Sequence, residues 1–210
     1  MWAEKLGKEL GYPTRSLMGW LVSRFLIAHN RVLEENAVQL SGIQPGDTVL
    51  ELGHGPGLGL QSAAKLLTEP TGHLIGVDFS EYMHKMASDI MKELVASGKV
   101  TLHHCDVAAM PLADSTVDKV FHCNCYYFWP DLRKGATEIH RVMKPGGLMV
   151  TTMKVSAVAA FAKKQVMPGE NWRPEAYMAA LRDSGFSDVR MEDRQQKLLT
   201  FQAIYATASK

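Results

Sequence analysis

The stretch Thr48-Val49-Leu50-Glu51-Leu52-Gly53-His54-Gly55-Pro56-Gly57-Leu58-Gly59 constrains the fold of this chain more than any other. An apolar run ends in an acid, and glycines follow at every second position. The run reads as a buried parallel strand. Glycine lets the backbone turn sharply and approach a ligand, because no Cβ stands in the way. Leu60, Ala63, Ala64 and Leu67 then recur at helical spacing, so the loop opens a helix. Strand, glycine loop and helix together hold a nucleotide-like cofactor at the carboxyl ends of the strands of an α/β sheet.

The dinucleotide fingerprint Gly-x-Gly-x-x-Gly/Ala is not completed in either register. Its third position falls on Leu58 or on Leu60. No Gly-Lys-Ser/Thr follows either, so a phosphate loop is excluded. The loop therefore faces something other than a pyrophosphate. Glu51-Leu52-Gly53-x-Gly55-x-Gly57 resembles the first motif of the class I S-adenosylmethionine-dependent methyltransferases.

Three later segments extend the resemblance. In Leu74-Ile75-Gly76-Val77-Asp78-Phe79-Ser80 an apolar run again ends in an acid. A carboxylate there can accept both ribose hydroxyl protons through charge-assisted hydrogen bonds. Asp78 is also open to a turn role and Ser80 to a helix N-cap. Val100-Thr101-Leu102-His103-His104-Cys105-Asp106-Val107 matches the segment where the family holds adenine, which puts Asp106 on the exocyclic amine and the Val107 N–H on a ring nitrogen. Val117 to Asn124, the helix Leu132 to Met143, and Lys144-Pro145-Gly146-Gly147-Leu148-Met149-Val150 resemble the fourth strand, its helix and the turn into the fifth. Leu132, Ala136, Ile139 and Met143 line one helical face, as a helix covering a sheet should.

The resemblance runs from about residue 44 to residue 185 and is nearest to the small-molecule methyltransferases related to the quinone-ring C-methylating enzymes. It implies an α/β fold: a doubly wound, mostly parallel seven-stranded sheet with an antiparallel last strand, the Rossmann-like methyltransferase fold. The implied cofactor is S-adenosyl-L-methionine, released as S-adenosyl-L-homocysteine. Glu51, Gly53, His54, Gly55, Gly57, Asp78, Phe79, Asp106, Val107 and Asn124 are the cofactor-binding candidates, with His54 directed at the carboxypropyl end.

At 210 residues and 46% hydrophobic, one domain spanning 1–210 is the natural reading. Residues 1–43 read as an N-terminal helical cap and 155–173 as an insertion near the substrate site, with a helix at Ser156 to Val166 and a loop from Met167 to Pro174. Leu17, Trp20, Leu21, Phe25 and Ala28 form an apolar stripe, with Trp20 read as core. Met83, Met86, Ile90 and Leu94 mark the helix after strand two and are likewise read as core, with Gly98 ending it. Asp188 to Glu192 and Leu198 to Thr207 read as the last two strands.

A formal charge of +1 gives no field to draw in nucleic acid or an anionic membrane, and no basic stripe is visible. Lys163-Lys164 reads as a solvated pair. The apolar stretch from Leu17 to Ala28 contains Ser23 and Arg24 and falls short of a membrane span. The N-terminal residues do not read as a signal peptide. Three cysteines suit a reducing compartment, so a cytoplasmic protein is expected. Cys123-x-Cys125 lacks further ligands at zinc spacings, and His103 and His104 alternate across a strand, so no metal site is expected. Any protein partner is left open.

Residues just beyond strand four should face the transferable methyl group. They are Asn124-Cys125-Tyr126-Tyr127-Phe128-Trp129-Pro130. Aromatic faces attract a cationic sulfonium by about 0.5–2 kcal/mol. Tyr126, Tyr127 and Trp129 are the acceptor-side candidates, with Phe128 and Trp129 equally suited to pack the following helix. The segment lacks both prolines of the Asn/Asp-Pro-Pro-Tyr signature, which disfavours nucleobase amines. Tyr12, Arg15, Trp20, His29 and Asn30 on the cap, and Met153, Lys154 and Trp172 on the insertion side, complete the candidates.

The function expected is transfer of a methyl group from S-adenosylmethionine to a small organic acceptor by in-line displacement. Positioning and exclusion of water supply most of the catalysis. No catalytic residue is assigned; His29, His54 and His122 are the possible bases. A non-catalytic S-adenosylmethionine-binding subunit serving a partner protein, marked by an exposed apolar N-terminal face, is the alternative. A nicotinamide-dependent oxidoreductase is the third reading, against which the broken glycine fingerprint speaks.

Overall fold

A computed structural model of the chain describes residues 2–166 and 169–209. The expected loop positions Met167 and Pro168 lie outside the described residues. The apolar runs become strands β1 (Thr48–Leu52), β2 (His73–Asp78), β3 (Val100–His104), β4 (Val117–Cys123) and β5 (Met143–Met153). β6 (Phe186–Gln196) and β7 (Leu199–Ala208) close the chain. The sheet order is β3-β2-β1-β4-β5-β7-β6. β1 to β5 pair in parallel, and β7 runs antiparallel to both β5 and β6. This is the Rossmann-like methyltransferase fold. β2 lies on one side of β1 and β4 on the other, so the connections diverge there. That divergence opens a crevice at the carboxyl ends of β1 and β4, where ligands settle in such sheets.

Three boundaries differ from the sequence reading. The turn Lys144-Pro145-Gly146-Gly147 lies inside β5, as a bulge where the register jumps from Val117–Met143 to Lys119–Leu148. Gly146 takes φ 77° there, and Lys144 Nζ donates to both Asp118 oxygens at 2.8 Å. β6 extends well past Glu192 because an edge strand needs only one apolar face; its outward Arg190 and Arg194 lie over the Tyr205 ring. Leu198, expected in the last strand, sits fully exposed in the hairpin turn after Lys197, whose φ is 54°.

Helices α3 (Leu58–Ala64), α4 (Glu81–Ile90), α5 (Lys92–Ala96), α6 (Leu132–Val142), α7 (Val155–Lys163) and α8 (Pro174–Asp183) flank the sheet. α6 buries Ala136 and Ile139 of the face its spacing marks, with Val142 beside them. Leu132 is half-buried, and Met143, expected on that face, opens β5 instead. Asp131 caps the helix through the Arg133 and Lys134 N–H groups at 3.0 Å. The expected helix after strand two breaks at Met91. Met83, Ala87 and Met91 are buried, whereas Ile90 and Leu94 are exposed, so that methionine stripe is core only in its first turns.

Two helices precede the sheet, α1 (Trp2–Gly11) and α2 (Leu17–Leu40). Buried Glu9 organises the turn between them, accepting the Thr14 N–H at 2.8 Å and the Thr14 hydroxyl at 2.7 Å. Ser16 caps α2 through the Gly19 N–H at 3.0 Å. The stripe Leu17, Trp20, Leu21 and Phe25 faces outward rather than into the core, with Leu17 76% and Trp20 50% exposed. The inward face belongs instead to Gly19, Val22 and Ser23, then to Leu33, Ala37 and Val38. The second half of α2 is therefore core, not cap. Folding also gathers charge that looks dispersed along the chain. Lys5, Lys8, Arg15, Arg24, Arg31, Lys154, Lys163 and Lys164 are all exposed on α1, α2 and the α7 segment. Among the described residues of these segments, Glu4 is the one exposed acid.

Candidate cofactor and acceptor site

The glycine loop closes on β2 through the Gly53 and His54 N–H groups, which donate to Val77 O at 2.8 and 3.2 Å. Gly53 has φ 61°, and a Cβ there would meet Cys125 Sγ at 2.6 Å. Gly57, at φ 93°, caps α3. Gly55 faces open space, and its N–H donates to Asp78 Oδ2 at 2.8 Å. The Ser80 N–H donates to Asp78 Oδ1 at the same distance. The Asp78 carboxylate is thus held at the crevice by two backbone donors, one per oxygen, with acceptor capacity left on each. Ser80 also caps α4 through the Met83 N–H and donates its hydroxyl proton to Pro13 O at 2.6 Å. That bond ties the α1–α2 turn to the end of β2.

Behind the loop lie two buried carboxyls, Glu51 from β1 and Glu34 from α2. Gly59 needs to lack a side chain because the Glu51 carboxyl occupies the place of its Cβ. Burial pushes Glu34 up to about 8, opposed by a backbone hydrogen bond from Gly59. Burial raises Glu51 as well, reinforced by Glu34 and Asp78. Each retains an Oε2 with no protein partner. His54 is also fully buried, its Nδ1–H donating to Gly55 O at 2.9 Å, and burial lowers its pKa.

A cavity of about 420 Å³ opens from the crevice. Its wall carries Gly53, Gly55, Asp78, Phe79, Asp106, Val107 and Asn124, all expected from the sequence. Asp106 Oδ1 accepts the Ala108 N–H at 2.9 Å, so it caps a turn as well as facing the cavity. Asn124 adopts φ 48° and donates its Nδ2 proton to Asn30 Oδ1 at 3.0 Å, which leaves its buried Oδ1 without a partner. The same wall carries Tyr127, Trp129, His29, Asn30 and Lys154, again expected. Trp129 also packs on α6, where a Cβ on Gly135 would meet its ring at 2.8 Å, and its Nε1–H donates to Cys125 Sγ at 3.2 Å.

The remaining candidates are not on the cavity wall. Glu51 lies on β1 behind the loop, and His54 and Gly57, although loop residues, do not line the cavity. Tyr126 is fully buried and stacks on Tyr177 with centroids 4.2 Å apart and 5° between planes. Its hydroxyl donates to Trp172 O at 2.9 Å and approaches Met153 Sδ at 3.3 Å, so Met153 and Trp172 serve this stack. Tyr12 packs outside Phe79, ring to ring at 5.4 Å. His122 is buried with Nε2 2.8 Å from both the Tyr177 hydroxyl and Thr151 Oγ1. Burial lowers its pKa to about 3, which keeps it neutral and structural. His29 alone of the three possible bases reaches the cavity. Its Nδ1–H donates to Phe25 O at 2.9 Å and its ring stacks on Phe25 at 4.1 Å, which leaves Nε2 as the acceptor nitrogen.

Sequence reasoning did not single out Glu34, nor the apolar wall of Leu10, Pro13, Leu26, Ala157, Val158 and Phe161. Glu34 had a signal: it precedes Ala37 and Val38 by three and four positions and so shares their buried helical face. The arrangement pairs a polar crevice, rich in acceptors, with an apolar chamber.

Residues 49–147 match a family described as a methyltransferase domain. The uncharacterized methyltransferase YdaC of Bacillus subtilis (strain 168) is 33% identical over 172 residues, covering 82% of this chain and 89% of YdaC. The ubiquinone/menaquinone biosynthesis C-methyltransferase UbiE of Klebsiella pneumoniae is 28% identical over 121 residues. That match covers 58% of this chain and 48% of UbiE, so the chain aligns with about half of that enzyme. Among solved structures, a SAM-dependent methyltransferase from Aquifex aeolicus superposes with TM-score 0.69 at 21% identity, covering 89% of this chain and 96% of that one.

Proposed function

This chain belongs to the class I S-adenosylmethionine-dependent methyltransferases, and on that premise we propose that it methylates a small, largely apolar organic acceptor. S-adenosylmethionine supplies the methyl group, activated on a sulfonium. The oxidoreductase reading falls away with the family.

The residues present fit that cofactor. The two Asp78 oxygens, pinned by Gly55 and Ser80, offer acceptors for ribose hydroxyls. Asp106 and Val107 line the part of the cavity where adenine would lie. Gly55 leaves open backbone for a close approach. The orphaned Asn124 Oδ1 is an acceptor on the wall of a cavity that must receive a cation, and the Glu34 carboxyl on the same wall becomes one when it ionises. A buried polar atom left unpaired costs about 1–3 kcal/mol, and a donor or cation placed there removes that cost.

One observation carries the acceptor reading: the same cavity is also walled by Leu26, Phe128, Val158 and Phe161, which give it an apolar chamber. A ligand surrounded by such side chains gains from burial of its own apolar surface. His29 Nε2, held by the Phe25 carbonyl on its other nitrogen, is placed to take a proton from a hydroxyl or an acidic carbon. Tyr127 and Trp129 limit the chamber and exclude water from it. The non-catalytic alternative draws on the exposed α2 stripe alone and does not explain the chamber. The three thiols are free, which suits the cytoplasm as the site of action. We treat residues 1–210 as one domain.

The test is transfer of label from S-adenosylmethionine to a panel of phenols, quinones and other apolar acceptors, beside amino acids and sugars. Label is expected in the apolar set. Transfer confined to the polar set overturns the reading.

A further inference from the structure

We propose that the outer face of α1, α2 and α7 docks on an anionic lipid surface, with the mouth of the cavity turned toward the lipid. The docking rests on the face itself; that the lipid is also the source of the acceptor rests on the function proposed above.

Leu17, Trp20 and Leu21 stand in solvent on consecutive turns of one helix, 76%, 50% and 52% exposed. An apolar stripe of this kind on a water-exposed helix marks a binding face. The charge beside it selects the partner. Arg15, Arg24 and Arg31 flank the stripe; of the α2 acids Glu34 is buried and Glu35 half-buried, and on α1 the exposed Glu4 pairs with Lys8 at 3.6 Å. Lys163 is exposed on α7 and Lys154 and Lys164 at its two caps, and α7 itself carries no acid. The excess sits here although the chain as a whole is nearly neutral, at +1. Apolar and tryptophan side chains among cations of one sign are the composition of a helix lying in a membrane interface. The cations meet anionic headgroups while the stripe enters the acyl boundary. A second copy of this chain would set these cations against each other.

The face is continuous with the site. Phe25 belongs both to the stripe and to the cavity wall, and its ring meets Phe161 of α7 edge-on at 6.4 Å. An apolar molecule leaving the lipid at Trp20 would pass these rings into the chamber without crossing water.

Flotation of the full chain with vesicles tests this. Binding is expected to vesicles of phosphatidylcholine mixed with phosphatidylglycerol, weakly or not at all to phosphatidylcholine alone, and it should fall at high salt. Leu17→Ser/Leu21→Ser should lower partitioning by about tenfold or more, with S-adenosylhomocysteine affinity unchanged. Arg24→Glu/Lys163→Glu should weaken binding to the anionic vesicles alone. Fluorescence that shifts blue on vesicle addition, and no longer does so in Trp20→Phe, places that ring in the lipid. No partitioning, or partitioning unaltered by Leu17→Ser/Leu21→Ser, overturns the proposal. So does a dimer in solution that this variant abolishes, which would assign the stripe to a second copy. Flotation is read without methyl transfer, so its failure and failure of the apolar-acceptor reading are separate results.

Discussion

The Gly55 N–H donates to Asp78 Oδ2 at 2.8 Å, which makes the glycine loop after β1 and the acid ending β2 one bonded unit. Neither half positions a ligand without the other. The bond orients the carboxylate into the crevice and fixes the loop at the place where its backbone is most open.

Asp78→Ala should therefore weaken S-adenosylhomocysteine binding by about 1.5–3 kcal/mol, through loss of charged hydrogen bonds and release of the loop. That is roughly a ten- to 150-fold rise in Kd. Titration calorimetry reads it, and unchanged affinity would remove Asp78 from the ribose.

Gly53→Ala should destabilise the fold by about 1–3 kcal/mol, because it puts a side chain at φ 61°. The new methyl also meets Cys125 Sγ. Adding Cys125→Ala should recover the steric share and leave the backbone share. A denaturant double-mutant cycle separates the two.

Tyr126→Phe should cost about 1–3 kcal/mol of stability by leaving Trp172 O without its donor. In a chain of this size that lowers Tm by about 2–4 °C per kcal/mol. Cofactor affinity should not change, because the ring lies in the stack with Tyr177 and not on the cavity wall.

Stability without ligand should fall as pH rises between about 6.5 and 8, above the range in which buried His54 and His122, whose pKa values are lowered, oppose the effect. Burial raises the Glu34 carboxyl from 4.5 to about 8 in the folded chain. In that window the folded state holds a proton that the unfolded state has lost, so each unit of pH favours unfolding. The contribution is fully present below the unfolded value and gone above the folded one. Glu34→Gln should lessen this slope, leaving the share due to Glu51, and raise Tm at pH 8; a slope unchanged in the variant would remove Glu34 as a source.

The cofactor side was legible because each piece is local. A glycine loop and two strand-end acids announce themselves within a few residues, and the sheet order then brings Gly55, Asp78 and Asp106 to one crevice. The acceptor side was not. Tyr126 follows β4 directly, as a site residue should, but its partner Tyr177 comes from α8 and claims its ring for the core. The spacing of Leu17, Trp20, Leu21 and Phe25 marks one helical face without saying whether protein or solvent covers it. Glu34 was passed over because an acid on a helix is expected to reach water. Its burial depends on Glu51 and Gly59, which approach only in the folded chain.

α2 is one unbroken helix of 24 residues, about 36 Å of rod. Its far half is anchored by the Thr152 hydroxyl donating to Leu33 O at 2.9 Å and by Asn124 donating to Asn30. Its near half projects Trp20 outward. A lever of this kind cannot be pushed at one end without being felt at the other. Whatever grips Trp20 and tilts the rod would move Asn30 and Glu34 in the pocket, and linkage then obliges the cofactor to alter that grip by the same factor.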